Sequence, residues 1–135
     1  MRALQEHKIQ RVGSERDLVV DVRVIAATNK DLRYEIKNNN FREDLFHRLA
    51  VIEINVPSLN ERLSDIPLLV EHFLRDISKD SEQELKTIDI EAINQLKKFD
   101  WSGNVRELRN VVERLIILSE KNNITIGDVK QYSNK

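Results

Sequence analysis

Two arginines sit where helix stability alone would not put them. Asn40-Phe41-Arg42-Glu43 and Asn104-Val105-Arg106-Glu107 both read as capping boxes, which places Arg42 and Arg106 in the first turn of a predicted helix. A cation there opposes the helix macrodipole at a cost of a few tenths of a kcal/mol, roughly, when exposed, and a nearby anion reverses the sign. The simpler alternative is a surface arginine held by the local glutamate. In FREDLFHRL, Phe41, Leu45 and Leu49 make the apolar stripe, so Arg42 and Arg48 fall about 120° apart around the axis by helical geometry. Two separate anionic contacts suit that spacing better than one. Thr28-Asn29 closes an apolar run, where an amide can orient a water or a phosphate oxygen at a sheet rim; capping a helix that starts near Lys30 is the plainer use.

Other chemistry finds no support. The three glycines, Gly13, Gly103 and Gly127, are too far apart for GxxxxGK[ST], so no phosphate-cradling loop is present. His7, His47 and His72 lack metal-ligand spacing. No Ser-His-Asp arrangement stands out, and there are no cysteines for disulfides or thiolate metal sites. Asp21 in LVVDVR is followed by Val22, not by an acidic partner, and reads as an ordinary polar strand position.

The elements that must carry these residues fall into two groups. Residues 2–8 read as helix, and Ile9–Val12 with Gly13-Ser14 as an extended piece and turn. The β-branched run from Leu18 to Ala27 suits a strand buried on both faces of a parallel sheet. Short helices are expected at about 30–37 and 41–48, then an alternating strand from Ala50 to Val56 that stops at Pro57. That order is a βαβ-type crossover with its polar residues on one rim. Beyond residue 58 every strong pattern is helical. Ile66, Leu69, Val70, Phe73, Leu74 and Ile77 form one stripe, with Ser64 or Asp65 as N-cap and Pro67 in the first turn. After a polar loop from Lys79 to Lys86, Asp89 can cap a helix to about Lys98 that buries Ile90, Ile93 and Leu96. A turn at 100–103 leads into a long helix from Asn104 to about Ser119, and Thr125 to Asp128 resembles a capping box opening a last short one.

At 135 residues, with 40% hydrophobic and 33% charged side chains, the chain is composed like a folding globular protein. Its 22 basic and 23 acidic residues leave a net charge of −1 spread along the sequence, which disfavours non-specific attraction to DNA or anionic membrane. No apolar run approaches the ~20 residues of a membrane helix, and the amino-terminal residues have no secretory apolar core. The expected location is the cytoplasm, with no membrane partner.

Taken in order, VIAATNKDL, FREDLFHRL, VPSLNERLSDIPLL and WSGNVRELRN closely resemble the sigma-54 activator (NtrC-like) branch of AAA+ ATPases. The resemblance runs from MRALQEHKIQRVG, which is similar to the stretch after the Walker B strand, to the helix ending near Ser119. It implies a fold of class α/β plus α: residues 1–57 as the end of an AAA+ parallel-sheet subdomain, and 58–135 as the helical lid. It also implies roles by position. Thr28 and Asn29 match sensor I, which detects the γ-phosphate. Arg42 and Arg48 match the arginine fingers that enter the neighbouring subunit's ATP site, and Arg106 in GNVREL matches the sensor II arginine. The segment Arg62 to Ile66, with Asp65, matches the hinge beside the adenine pocket. The family acts as a hexameric or heptameric ring that hydrolyses ATP with Mg2+ and remodels sigma-54 RNA polymerase, and many members are two-component response regulators.

Departures qualify those implications. Walker A, Walker B, the GAFTGA loop that touches sigma-54, a receiver domain and a DNA-binding helix-turn-helix are all missing from these 135 residues. The chain is therefore expected to be a fragment that binds no nucleotide tightly and hydrolyses none by itself, with ATPase activity belonging to the parent protein. Members commonly have WPGN where Trp101-Ser102-Gly103-Asn104 stands, and RER where Asn60-Glu61-Arg62 stands. Two other readings are a non-enzymatic helical interaction module and a DNA-binding module using the helix from Asn104. Glu107 and Glu113 on that helix count against the second.

Overall fold

A computed structural model describes residues 6, 8–14, 16–80 and 84–133. The chain divides into two compact units, Met1–Asn55 and Val56–Lys135. All but one residue of the helix expected over 2–8 lies outside the described residues or in the strand that follows.

In the first unit, β1 (Lys8–Gln10) pairs antiparallel with β2 (Asp17–Val19), Ile9 opposite Leu18. The expected turn joins them: the Ser14 N–H donates to the Arg11 carbonyl at 3.0 Å, and Gly13 takes a φ of 81° that only glycine adopts freely. The long strand expected from Leu18 to Ala27 is not formed beyond Val19, and its first residues pair antiparallel. The Ala50–Val56 strand is absent too, so no βαβ crossover exists among the described residues. The physical reason is pairing. A β-branched run becomes a central strand only with hydrogen-bonding neighbours on both sides, and none of the described residues supplies them. Ile25 and Ile54 are accordingly 85% and 83% exposed.

Two short helices follow. α1 (Leu32–Lys37) is capped by Asp31, whose carboxylate accepts from the Arg33 and Tyr34 amides at 3.0 and 3.1 Å. It ends in the turn Asn38-Asn39-Asn40, where Asn39 has a φ of 59°. α2 (Glu43–Leu49) begins after Arg42, which is its N-cap residue with φ −79° and ψ 130°. Asn40 makes no capping box here. Asn39 and Asn40 instead close the preceding turn through backbone bonds to Ile36 and Glu35 at 3.0 and 2.9 Å.

The second unit holds the buried core. A 3-10 helix (Leu59–Asp65) opens with the Ser58 N–H and hydroxyl both donating to the Glu61 carboxylate at 2.7 Å. Its backbone breaks at Arg62, φ −137° and ψ 48°, then runs directly into α3 (Ile66–Asp80). Neither Ser64 nor Asp65 acts as the N-cap of α3, because the 3-10 turns already occupy that approach. The remaining elements are β3 (Thr87–Ile88), α4 (Ile90–Leu96), α5 (Asn104–Leu118), β4 (Asn123–Ile124) and α6 (Ile126–Tyr132), with β3 and β4 parallel.

The α3 stripe buries Ile66, Val70, Phe73, Leu74 and Ile77, and α5 contributes Leu108, Val111, Val112, Leu115 and Ile116, as their spacing requires. α4 departs from expectation: Ile90 is 62% exposed, and Ala92 with Leu96 fills the core. Asp89 does not cap through its side chain. Its carboxylate accepts from the Asn123 amide at 2.8 Å, tying the start of α4 to β4. Trp101 is fully buried, its indole N–H donating to the Leu96 carbonyl at 3.0 Å. The helix ends are closed by cations: Lys86 Nζ donates to the Ser119 carbonyl after α5, and Arg114 Nη1 to the Tyr132 and Ser133 carbonyls at the end of α6. No helix of the described residues is long and apolar enough to cross a membrane.

Candidate functional site

In the first unit the arginines sit around α2. The Arg42 guanidinium turns along its own helix start and meets Asp44 side-on, Nε to Oδ1 at 3.0 Å and Nη2 to Oδ2 at 2.8 Å. This is the bidentate geometry that a planar fork favours. The holding group is thus an aspartate two residues on, while Glu43 faces His47 at 3.7 Å. The hydrogen bonding to Asp44 raises the Arg42 pKa above its ordinary value, and the same bonding lowers that of Asp44, with Arg48 adding to the field. Both groups are solvated, so the pair orders a side chain more than it stabilises the fold. Arg48, one turn beyond Asp44, is exposed and makes no ion pair among the described residues. Because Arg42 caps α2 and does not belong to it, the 120° helical separation of the two arginines does not apply.

An open cleft of about 420 Å³ beside α2 is lined by Ile36, Asn39, Asn40, Phe41, Arg42, Glu43 and Asp44. Thr28 and Asn29 are exposed in an irregular stretch before α1, where the Thr28 hydroxyl accepts from the Lys30 amide at 3.1 Å. Asp31, not Asn29, caps the helix.

The second unit holds the other arginines. Arg106 lies in the first turn of α5, exposed and without an ion pair among the described residues. Asn104 is not its capping residue. Gly103 holds the N-cap position, and the Asn104 carbonyl oxygen Oδ1 accepts from the Leu59 amide at 2.7 Å. Glu107 does fold back, accepting from the Gly103 amide at 2.9 Å. Its side chain lies so close that a Cβ on residue 103 would come within 2.8 Å of Glu107 Cβ, which explains the glycine. Arg62 pairs with Asp65 at 3.8 Å, and its buried Nε has no hydrogen-bond partner among the described residues. Ile66 is fully buried in the core.

These placements can be set beside known proteins. Residues 1–55 match the sigma-54 interaction domain, and residues 60–135 match the AAA+ ATPase lid domain. The chain belongs to the sigma-54 activator AAA+ family. The DNA-binding transcriptional activator HyfR of Escherichia coli K12 is 44% identical over 126 residues, 93% of this chain and 19% of HyfR. The transcriptional regulatory protein ZraR of the same organism is 48% identical over 118 residues, 87% of this chain and 27% of ZraR. Crystal structures of NtrX from Brucella abortus, in complex with ADP and with ATP, superpose with a TM-score of 0.85 at 40% identity, covering 94% of this chain and 30% of NtrX. This sigma-54 activator chain therefore spans 19% to 30% of the length of these relatives. The α/β-plus-helical class of the fold agrees with that family.

Two groups in this AAA+ chain escaped sequence reasoning. Asp44 could have been noticed as an aspartate two positions after a first-turn arginine. The outward use of the Asn104 amide could not, since its partner lies 45 residues away.

Proposed function

We propose that this chain serves the ATPase cycle of a bacterial transcription activator, with its arginines acting on ATP held by a neighbouring subunit and by its own. The observation that carries the reading is the state of the guanidinium groups. Arg42, Arg48 and Arg106 are all exposed, and the latter two have no ion pair among the described residues. Permanently charged forks left facing solvent are suited to phosphoryl oxygens. The donor set thus fits the triphosphate end of a nucleotide, while no group of three His, Cys, Asp or Glu among the described residues could hold its Mg2+.

Bound MgATP supplies the phosphoryl group that is transferred to water. In this reading Arg42, held by Asp44 through Nε and Nη2, presents its remaining edge, and Arg48 brings a second charge from α2, the helix that Arg42 precedes. Together they neutralise charge spread over the phosphoryl oxygens of the adjacent protomer. Thr28 and Asn29 orient polar groups near the γ-phosphate, Arg106 reports the nucleotide from the lid, and Arg62 with Asp65 and Ile66 lies beside the adenine. Residues 1–57 then deliver sensor I and the fingers, and 58–135 form the lid. The assembly is a hexameric or heptameric ring in the cytoplasm. It works on sigma-54 RNA polymerase, and it reaches DNA through a helix-turn-helix outside these 135 residues.

The test is kinetic. In the full-length activator, Arg42→Ala and Arg48→Ala are expected to lower turnover by roughly 10³- to 10⁵-fold while leaving ATP affinity nearly unchanged. Hydrolysis that survives both substitutions defeats the assignment.

A further inference from the structure

The turn that launches α5 is clamped from a distance. Asn60, in the 3-10 helix, accepts the Trp101 amide N–H on Oδ1 at 2.9 Å and donates from Nδ2 to Asp100 Oδ1 at 2.5 Å. In return, Asn104 Oδ1 accepts the Leu59 amide at 2.7 Å, and the Asn104 amide donates to the Trp101 carbonyl at 2.9 Å. Asn104 holds a φ of 54°, a left-handed conformation that asparagine tolerates better than most residues. Two adjacent residues of the 3-10 helix thus grip both ends of the turn 100–104. Arg106 follows two positions later, between Asn104 and the folded-back Glu107.

At position 60 the Trp101 N–H calls for an acceptor. An arginine has five donors and no acceptor. It could meet Asp100 but could not take the Trp101 N–H. A proline at 102 would fix its own φ and restrict residue 101. With Ser102 the backbone keeps that freedom.

We infer that Asn60 is a positioning residue for Arg106, fixing the turn before α5 by two side-chain hydrogen bonds. Arg106 keeps its reach toward the nucleotide because the first turn of its helix cannot swing. The inference rests on the sensor role proposed for Arg106.

The test is nucleotide affinity in the full-length activator, read with a non-hydrolysable ATP analogue. Asn60→Ala is expected to weaken binding by up to about tenfold, the scale of one or two lost hydrogen bonds. Adding Ser102→Pro restores it. In an Arg106→Ala background, Asn60→Ala has no further effect, which a general loss of folding would not produce. Asn60→Arg provides a second variant should the alanine protein not fold: alone it weakens binding, and combined with Ser102→Pro it is neutral. If Arg106→Ala weakens affinity and the Asn60 variants do not, or if they weaken it equally without Arg106, the inference is overturned. If Arg106→Ala itself changes nothing, the sensor reading fails, and the inference with it.

Discussion

Arg42 and Asp44 show how much a single carboxylate decides. The arginine stands at the N-cap of α2, where the helix field disfavours a cation. Asp44, in the first turn, is favoured by that field and meets the guanidinium with two hydrogen bonds. Its folded-state pKa is lowered, first by the Arg42 hydrogen bond. A depressed carboxylate contributes at pH above its unfolded value and loses that contribution as pH falls through the folded one. An NMR titration of the Asp44 carboxyl should therefore show a midpoint below 3.8, the ordinary value, and Arg42→Ala should move it upward. A midpoint unmoved by that substitution would mean that the pair does not form in solution. The spacing of FREDLFHRL pointed instead to separate anionic contacts for Arg42 and Arg48, with a local glutamate as the plainer alternative.

At the scale of elements, α6 depends on its cap. Seven residues are too few for a helix to hold itself in water. Thr125 and Asp128 exchange bonds: the Thr125 N–H and hydroxyl donate to Asp128 Oδ2 at 2.7 Å, and the Thr125 hydroxyl accepts from the Asp128 amide at 3.4 Å. The pKa of Asp128 is lowered chiefly by the Thr125 backbone N–H. Its stabilising effect is complete above the ordinary aspartate range and fades as pH falls through the depressed value. Thr125→Ala should cost about 1 kcal/mol in urea unfolding at neutral pH; Asp128→Asn should also destabilise there, and its difference from the unsubstituted chain should shrink in acid. A difference that stays constant down to about pH 2, well under the ordinary aspartate range, would contradict the capping account. Here local sequence was sufficient, because a capping box is complete within four residues. The boxes expected at Asn40 and Asn104 failed because a nearby turn claimed one asparagine and a distant amide the other.

Across the whole molecule, burial is uneven. Every buried hydrophobic side chain found among the described residues lies between Leu59 and Val129. In the first unit, Ile25, Val51, Ile52 and Ile54 remain more than two-thirds exposed. The first unit thus contributes no buried apolar core among the described residues. Residues 56–135 alone should consequently unfold cooperatively, with a melting temperature within a few degrees of the helical transition of the full chain. A non-cooperative melt of that piece would show that its core needs the first unit.

The helices at 66–80 and 104–118, the cap at Thr125 and the family itself could be read from residue types and spacing, because each is set by neighbours within one or two turns. Tertiary structure alone decided what reaches across the chain. It turned Asn104 toward Leu59, set Asn60 on Trp101, and left the β-branched runs at 20–27 and 50–56 without a sheet. A strand is a relation between segments and an amide can bond to any partner that folding brings near, so neither outcome is contained in local sequence.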